Sequence, residues 1–74
     1  MPTRDKALAR LGANIRAKRE EKELSQEALA ELADLDRTYI GGVERGERNS
    51  TILSLLRIAK ALKISVGKLC EEID

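Results

Sequence analysis

The stretch from Ser25 to Gly46, SQEALAELADLDRTYIGGVERG, constrains this chain more than any other. Ser25 is a good N-cap for a short helix burying Leu29, Leu32 and Ala33, and Asp36 stands likewise before a second short helix carrying Ile40 and Val43. Ala30 falls where two steeply crossed helices come close, and a larger side chain would pry them apart. Asp34 falls at the turn, where a left-handed backbone is expected; glycine is the least strained choice there and Asp a tolerated one. With Leu35 joining Ile40 and Val43 in a small shared core, the spacing predicts a helix-turn-helix over about 25–46. Two such helices are not stable alone. The physical use of the unit is to push the start of its second helix into the major groove of DNA.

The remaining sequence supplies the support. Its 74 residues suffice for one domain, 1–74, and are too few for two. A first helix is expected from about Thr3 to Lys22, with Leu8, Leu11 and Ile15 on one face. Gly46 closes the third helix and Thr51 caps a fourth, about Ile52 to Leu62, while Ser65 caps a short fifth. The fold class is therefore all-α, with five helices. Phe and Trp are absent and Tyr39 is the only aromatic, so the core is aliphatic and a domain of this size is marginal. Helix four is apolar on more than one stripe and must bury more than one face. Helices four and five, 51–74, are expected to complete the core and to offer their surplus to a second copy, with Leu53, Ile58, Val66, Leu69, Cys70 and Ile73 as the dimer interface.

Composition removes several functional classes. Histidine is absent and Cys70 is the only cysteine, so neither a zinc site nor an imidazole-activated nucleophile can be assembled. No enzyme, metal, cofactor or small-molecule ligand is indicated. Cys70 reads as a small buried hydrophobe rather than a bridge between copies. Apolar runs are far short of a membrane span and no secretory pattern is present, which points to the cytoplasm. The formal net charge is only +1, low for a nucleic-acid binder. The charge is segregated, however. Arg4, Lys6, Arg10, Arg16, Lys18 and Arg19 lie in the first helix and Arg37, Arg45 and Arg48 in the middle, with Glu71, Glu72 and Asp74 at the far end.

Within the unit, Arg37 and Thr38 lie on the first turn of the second helix, facing away from Ile40 and Val43. Arg forms bidentate hydrogen bonds to guanine, and Thr contacts a base edge or the thymine methyl. Tyr39 is expected to contact DNA, at a base or a phosphate, the alternative being packing over the helix two–three corner. Gly42 is on the groove-facing side, where it permits close approach or is simply an unconstrained solvent position. Arg45, Arg48 and Asn49 follow the helix and are placed for phosphate contacts, which set register without reading sequence. Lys18 is a further candidate for phosphate neutralisation.

These residues resemble the Cro/repressor-type (Xre) helix-turn-helix regulators over nearly the whole chain, from IRAKRE through SQEALAELADLDRTYIGGVERGERN to LLRIAKAL. The resemblance implies a compact, lambda-repressor-like five-helix domain that binds double-stranded DNA as a homodimer on a two-fold-related operator. LDRTYIGGVERGERN looks most like the small controller proteins of restriction–modification systems, which regulate their own operon. A phage or chromosomal repressor of the same family, and an antitoxin-like protein-interaction module, are the alternatives. The resemblance further implies that Gln26 contacts a phosphate while bracing the second helix, and that Arg19 and Glu44 form a structural ion pair. Two departures stand out: Asp34 replaces the usual turn glycine, and Ser50 a common proline.

Overall fold

In the computed structural model, which describes residues 5–73, the chain forms α1 (Lys6–Glu21), α2 (Gln26–Ala33), α3 (Arg37–Glu44), α4 (Ile52–Leu62) and α5 (Val66–Leu69). The expected start at Thr3, the basic Arg4 and the acidic Asp74 lie outside the described residues. Helix α1 begins later than its periodicity suggests, because the Asp5 carboxylate accepts hydrogen bonds from the Ala7 and Leu8 N–H groups. Ser25, Thr51 and Ser65 cap α2, α4 and α5 through their hydroxyls. Asp36 occupies the N-cap position of α3, but its side chain makes no capping bond, contrary to expectation. Among the described residues no helix is long and apolar enough to cross a membrane.

The ends of the helices share one device. Besides Glu72 near the end of the described residues, the chain passes through the left-handed region after α1 to α4, at Glu23, Asp34, Gly46 and Lys63. At each point the next residue's N–H reaches back a full turn: Leu24 to Arg19 O, Leu35 to Ala30 O, Glu47 to Gly42 O and Ile64 to Ala59 O. After three of these turns the following residue, Leu24, Leu35 or Ile64, packs against the core. The apolar contact offsets the roughly 1–2 kcal/mol that a left-handed non-glycine residue costs. Asp34 thus adopts the conformation expected of it, and Glu23 and Lys63 adopt it without any local hint in the sequence.

The core is aliphatic. Ile15, Leu29, Ile40, Ile58, Leu62 and Leu69 are fully buried, with Leu11, Ala30, Ala33, Val43, Leu55 and Ala59 around them. Each large member contributes about 1.5–3 kcal/mol through burial. Helix α2 lies against both α3 and α4, and α1 closes the other side of α3. Leu32, expected in this core, is 61% exposed. It lies about 100° round α2 from Ala33, off the arc that Leu29, Ala30 and Ala33 bury. Ile58 and Leu69, expected at an interface with another copy, have no exposed surface and belong to this core instead. Val66, Cys70 and Ile73 are half-buried against it.

Close contact between α1 and the end of α3 depends on two small residues. A methyl group on Gly12 would overlap the backbone carbonyls of Val43 and Glu44. At Gly46, φ is +76° and a Cβ would come within 2.9 Å of Ala9 Cα. Backbone obstructs both positions, so side-chain repacking cannot relieve them. Gly12→Ala is therefore expected to destabilise by about 1–3 kcal/mol, despite alanine's better helix propensity. A lower urea midpoint would register this, and an unchanged or raised midpoint would show that α1 can shift freely.

Candidate nucleic-acid interface

Helix α3 is held at its C-terminal end by a nearly buried polar cluster. Arg19 of α1 donates from Nε to Glu44 Oε2 at 2.7 Å and from Nη2 to Glu44 Oε1 at 3.0 Å. A third donor, Nη1, reaches the Leu24 carbonyl at 2.8 Å, fixing the α1–α2 loop. Gln26 Nε2, on the first turn of α2, donates to Glu44 Oε1 at 3.0 Å. The Arg19 and Glu44 side chains are only 11% and 3% exposed. The hydrogen bond to Glu44 raises the Arg19 pKa above its ordinary value, against the opposing effect of burial. One carboxylate therefore joins three helices. The brace expected of Gln26 is present, and one of its two amide N–H donors is engaged by Glu44.

The first turn of α3 carries Arg37 and Thr38, both exposed and in no ion pair or side-chain hydrogen bond among the described residues. Beside them lies an open concavity of about 500 Å³ lined by Thr38, Tyr39, Gly42, Arg45, Glu47, Arg48 and Asn49. It gathers most of the expected contact residues from α3 and from the loop after it. Tyr39 is half-buried, with the Arg48 guanidinium 5.5 Å from its ring centroid. Burial opposes ionisation of its phenol. Ser54, Ser50, the Thr51 backbone and the Arg48 charge outweigh that effect and hold the pKa below the usual tyrosine value. The Tyr39 ring packs against the core beside the Arg48 side chain.

Two expected positions are changed by their surroundings. Gly42 is not open to the groove, because the Arg48 side chain lies across it; a Cβ there would sit 3.0 Å from Arg48 Cγ. Lys18 is outside the concavity. It pairs with Glu21 at 3.6 Å, in a shallow groove shared with Asn14, Lys68, Glu71 and Glu72. Acidic neighbours make that a poor place for a phosphate. Arg45 is exposed but pairs with Glu47 at 3.0 Å, a carboxylate on this face that charge-counting on the basic residues alone passes over. The residues missed by pattern reading are Gly12 and Asn14. Asn14 Nδ2 donates to the carbonyls of Leu69 and Glu71, each at 2.8 Å, tying the end of α5 to α1. Neither has a periodic signal.

With this geometry in place, comparison with known proteins decides the family. The Helix-turn-helix (HTH_3) family profile matches residues 15–69. The chain belongs to the Xre-type helix-turn-helix family. Within that family it is 56% identical to the control protein C.SmaI of Serratia marcescens over 59 residues, covering 80% of this chain and 70% of that protein. It superposes on the restriction-modification controller protein C.AhdI of Aeromonas hydrophila with a TM-score of 0.83 and 48% identity, over 84% of this chain and 94% of that one. A third relative is the controller protein C.Esp1396I, solved as a tetramer with its natural 35 base-pair operator. It gives a TM-score of 0.81 and 43% identity over 90% of this chain and 88% of that one. The helix-turn-helix of the family is α2–α3, and the Arg19–Glu44–Gln26 cluster is what orients it here.

Removing one member of that cluster strands a buried charge. Glu44→Ala is expected to lower the unfolding free energy by about 3–5 kcal/mol, whereas the paired change Arg19→Met with Glu44→Leu should recover much of the loss. Urea titrations followed by circular dichroism would check both. A single-variant loss below about 1 kcal/mol would mean that the pair behaves as an exposed one.

Proposed function

We propose that this chain is a transcriptional regulator of the restriction–modification controller type, binding a two-fold-related operator as a homodimer and acting on its own operon. The reading is carried by one observation: a helix anchored at its C-terminal end by Arg19, Gln26 and Glu44 presents unpaired, exposed Arg37 and Thr38 on its first turn. The similarity to C.SmaI, C.AhdI and C.Esp1396I supports it. In this mechanism α3 enters the major groove by its N-terminal half. Arg37 donates to a guanine edge and Thr38 meets a base edge or a thymine methyl. Tyr39 stays with its protein neighbours and extends the surface alongside. Arg45, Arg48 and Asn49 meet phosphates and fix the register, and Gln26 contributes mainly through Glu44. Two copies place their α3 helices in successive major grooves, with half-site centres about 34 Å apart or a multiple of that.

Occupancy in this scheme follows protein concentration and pairing. The residues invoked bind and orient DNA, with no group placed to make or break a covalent bond, and the protein acts in the cytoplasm where its operator is. Arg37→Ala should lose about 1–3 kcal/mol on the selected operator and much less on random duplex. Fluorescence anisotropy on both duplexes measures this, and equal losses would rule out base reading by Arg37. Arg48→Ala should weaken every sequence alike and reduce the slope of log K against log salt by about 0.9. An unchanged slope would remove Arg48 from the phosphate contacts.

A further inference from the structure

A second open groove, of about 430 Å³, lies between the C-terminal halves of α2 and α4. Its apolar members are Leu32, Ala33 and Ala61. Leu32 is 61% exposed there, although the other leucine of α2, Leu29, is fully buried. Its charged members are Arg57, Lys60 and Lys63 against one carboxylate, Asp34. All three cations are exposed, and none is in an ion pair among the described residues. The concavity beside α3 sets only Arg45 and Arg48 against Glu47, so this groove is the more cationic of the two. Arg57 Nη1 reaches the Asp34 carbonyl at 3.5 Å, a single weak bond for a group with five N–H donors. Lys60 and Lys63 also suit the negative end of the α4 dipole. That accounts neither for Arg57, a turn earlier, nor for an exposed leucine beside them.

We propose that this groove docks an acidic peptide segment of another protein, with carboxylates on Arg57, Lys60 and Lys63 and an apolar side chain against Leu32, Ala33 and Ala61. Charge complementarity selects the sign of the occupant. The cations recur every three residues, about 4.5 Å apart along the helix axis, so a run of Asp and Glu side chains can meet them in series. Leu32 selects its class. A DNA backbone is equally anionic but has no apolar group to cover a leucine, and no large aliphatic residue lines the concavity beside α3. A segment of mixed acidic and apolar composition satisfies both halves of the groove. Position shows what such a contact would serve. The DNA-facing loop, residues 45–49, precedes α4, whereas the groove draws on the other end of that helix, about 12 Å along its axis from Ile52 to Lys60. The two sites share no residue, so both can be filled at once. The groove therefore suits a protein that acts beside this one on the same DNA. A contact of a few side chains falls short of the roughly 1,200 Å² of a stable complex. It gains weight only when DNA holds both partners together.

Binding of the acidic segment needs no operator, so its test is separate from that of the operator reading. The probe is a short peptide of alternating Leu and Glu, titrated into the nitrogen-15-labelled chain and followed by amide shifts in NMR. The shifts should gather at residues 32–34 and 57–63. An all-Glu peptide of equal length should bind about tenfold more weakly, having no apolar group to bury, and a Leu–Lys peptide should not bind detectably. Lys60→Gln with Lys63→Gln should weaken the Leu–Glu peptide about tenfold, as expected for two exposed ion pairs. Leu32→Ser should weaken it about as much, with circular dichroism unchanged because these residues are exposed. Should the paired change disturb folding, Arg57→Gln gives the same readout from one site, at about threefold. The peptide should bind the chain equally well when a selected operator duplex is already bound. Shifts centred on Arg37, Arg45 and Arg48 overturn the inference, as does equal binding of the all-Glu peptide. Displacement of the peptide by duplex would make the groove a DNA contact and overturns it too. A peptide held in the groove of a chain whose operator affinity ignores Arg37→Ala would instead keep the inference and overturn the base-reading role.

Discussion

The carboxylate of Glu44 is the point on which the geometry of this domain depends. Helix α3 spans only Arg37–Glu44, and the large apolar side chains it buries fully are Ile40 and Val43, with Tyr39 partly buried beside them. So small a set holds a helix against the core but resists rocking about its axis poorly. Glu44 removes that freedom. It receives two bonds from Arg19 and one from Gln26, so the end of α3 is fixed from α1 and α2 together. A hydrophobic contact there would be at least as stabilising, since buried pairs seldom exceed their apolar replacements in energy. What the pair adds is direction. Bidentate hydrogen bonds specify an angle, and a helix that must register with base edges needs an angle more than it needs energy.

Close packing makes the network possible. Arg19 reaches Glu44 only because α1 approaches the end of α3 at backbone distance, with Gly12 facing the Val43 and Glu44 carbonyls and Gly46 folded over Ala9. The four left-handed helix ends do the complementary work. Each reverses the chain within two or three residues and sends an apolar side chain, in three cases of four, back into the core. Short helices packed at steep angles leave little room for slack, and these turns remove it. The same logic makes Asp34 a workable substitute for glycine. Its strain is local, and Leu35 packing behind it offsets the cost.

The sequence made some of this legible and hid the rest for definable reasons. The boundaries of α4, the caps at Ser25, Thr51 and Ser65 and the turn at Asp34 follow from local chemistry, and local chemistry decided them. Gly12 left no trace in the pattern, because the need for a missing side chain arises from a helix 31 residues further along. Leu32 was misplaced because on an eight-residue helix one step of about 100° separates core from solvent. Ile58 and Leu69 show the general limit. Periodicity reports that a residue is buried, not whether its own chain or another copy does the burying. Gly42 illustrates the converse, since its cover is Arg48, a flexible side chain from beyond the helix that no helical wheel would include.

Near-neutral charge gives these details their consequence. At net +1 the chain has little long-range attraction for DNA, and part of its basic surface is engaged within the protein: Arg16 with Glu20, Lys18 with Glu21, Arg45 with Glu47. Arg37 stands outside that pairing, and Arg48 rests on an aromatic ring. Non-specific binding, which scales with phosphates neutralised, should be weak in such a protein. Selectivity then comes from a few directed contacts, and one short helix supplies too few of them to hold a site alone. Pairing multiplies these contacts without raising the attraction for arbitrary DNA.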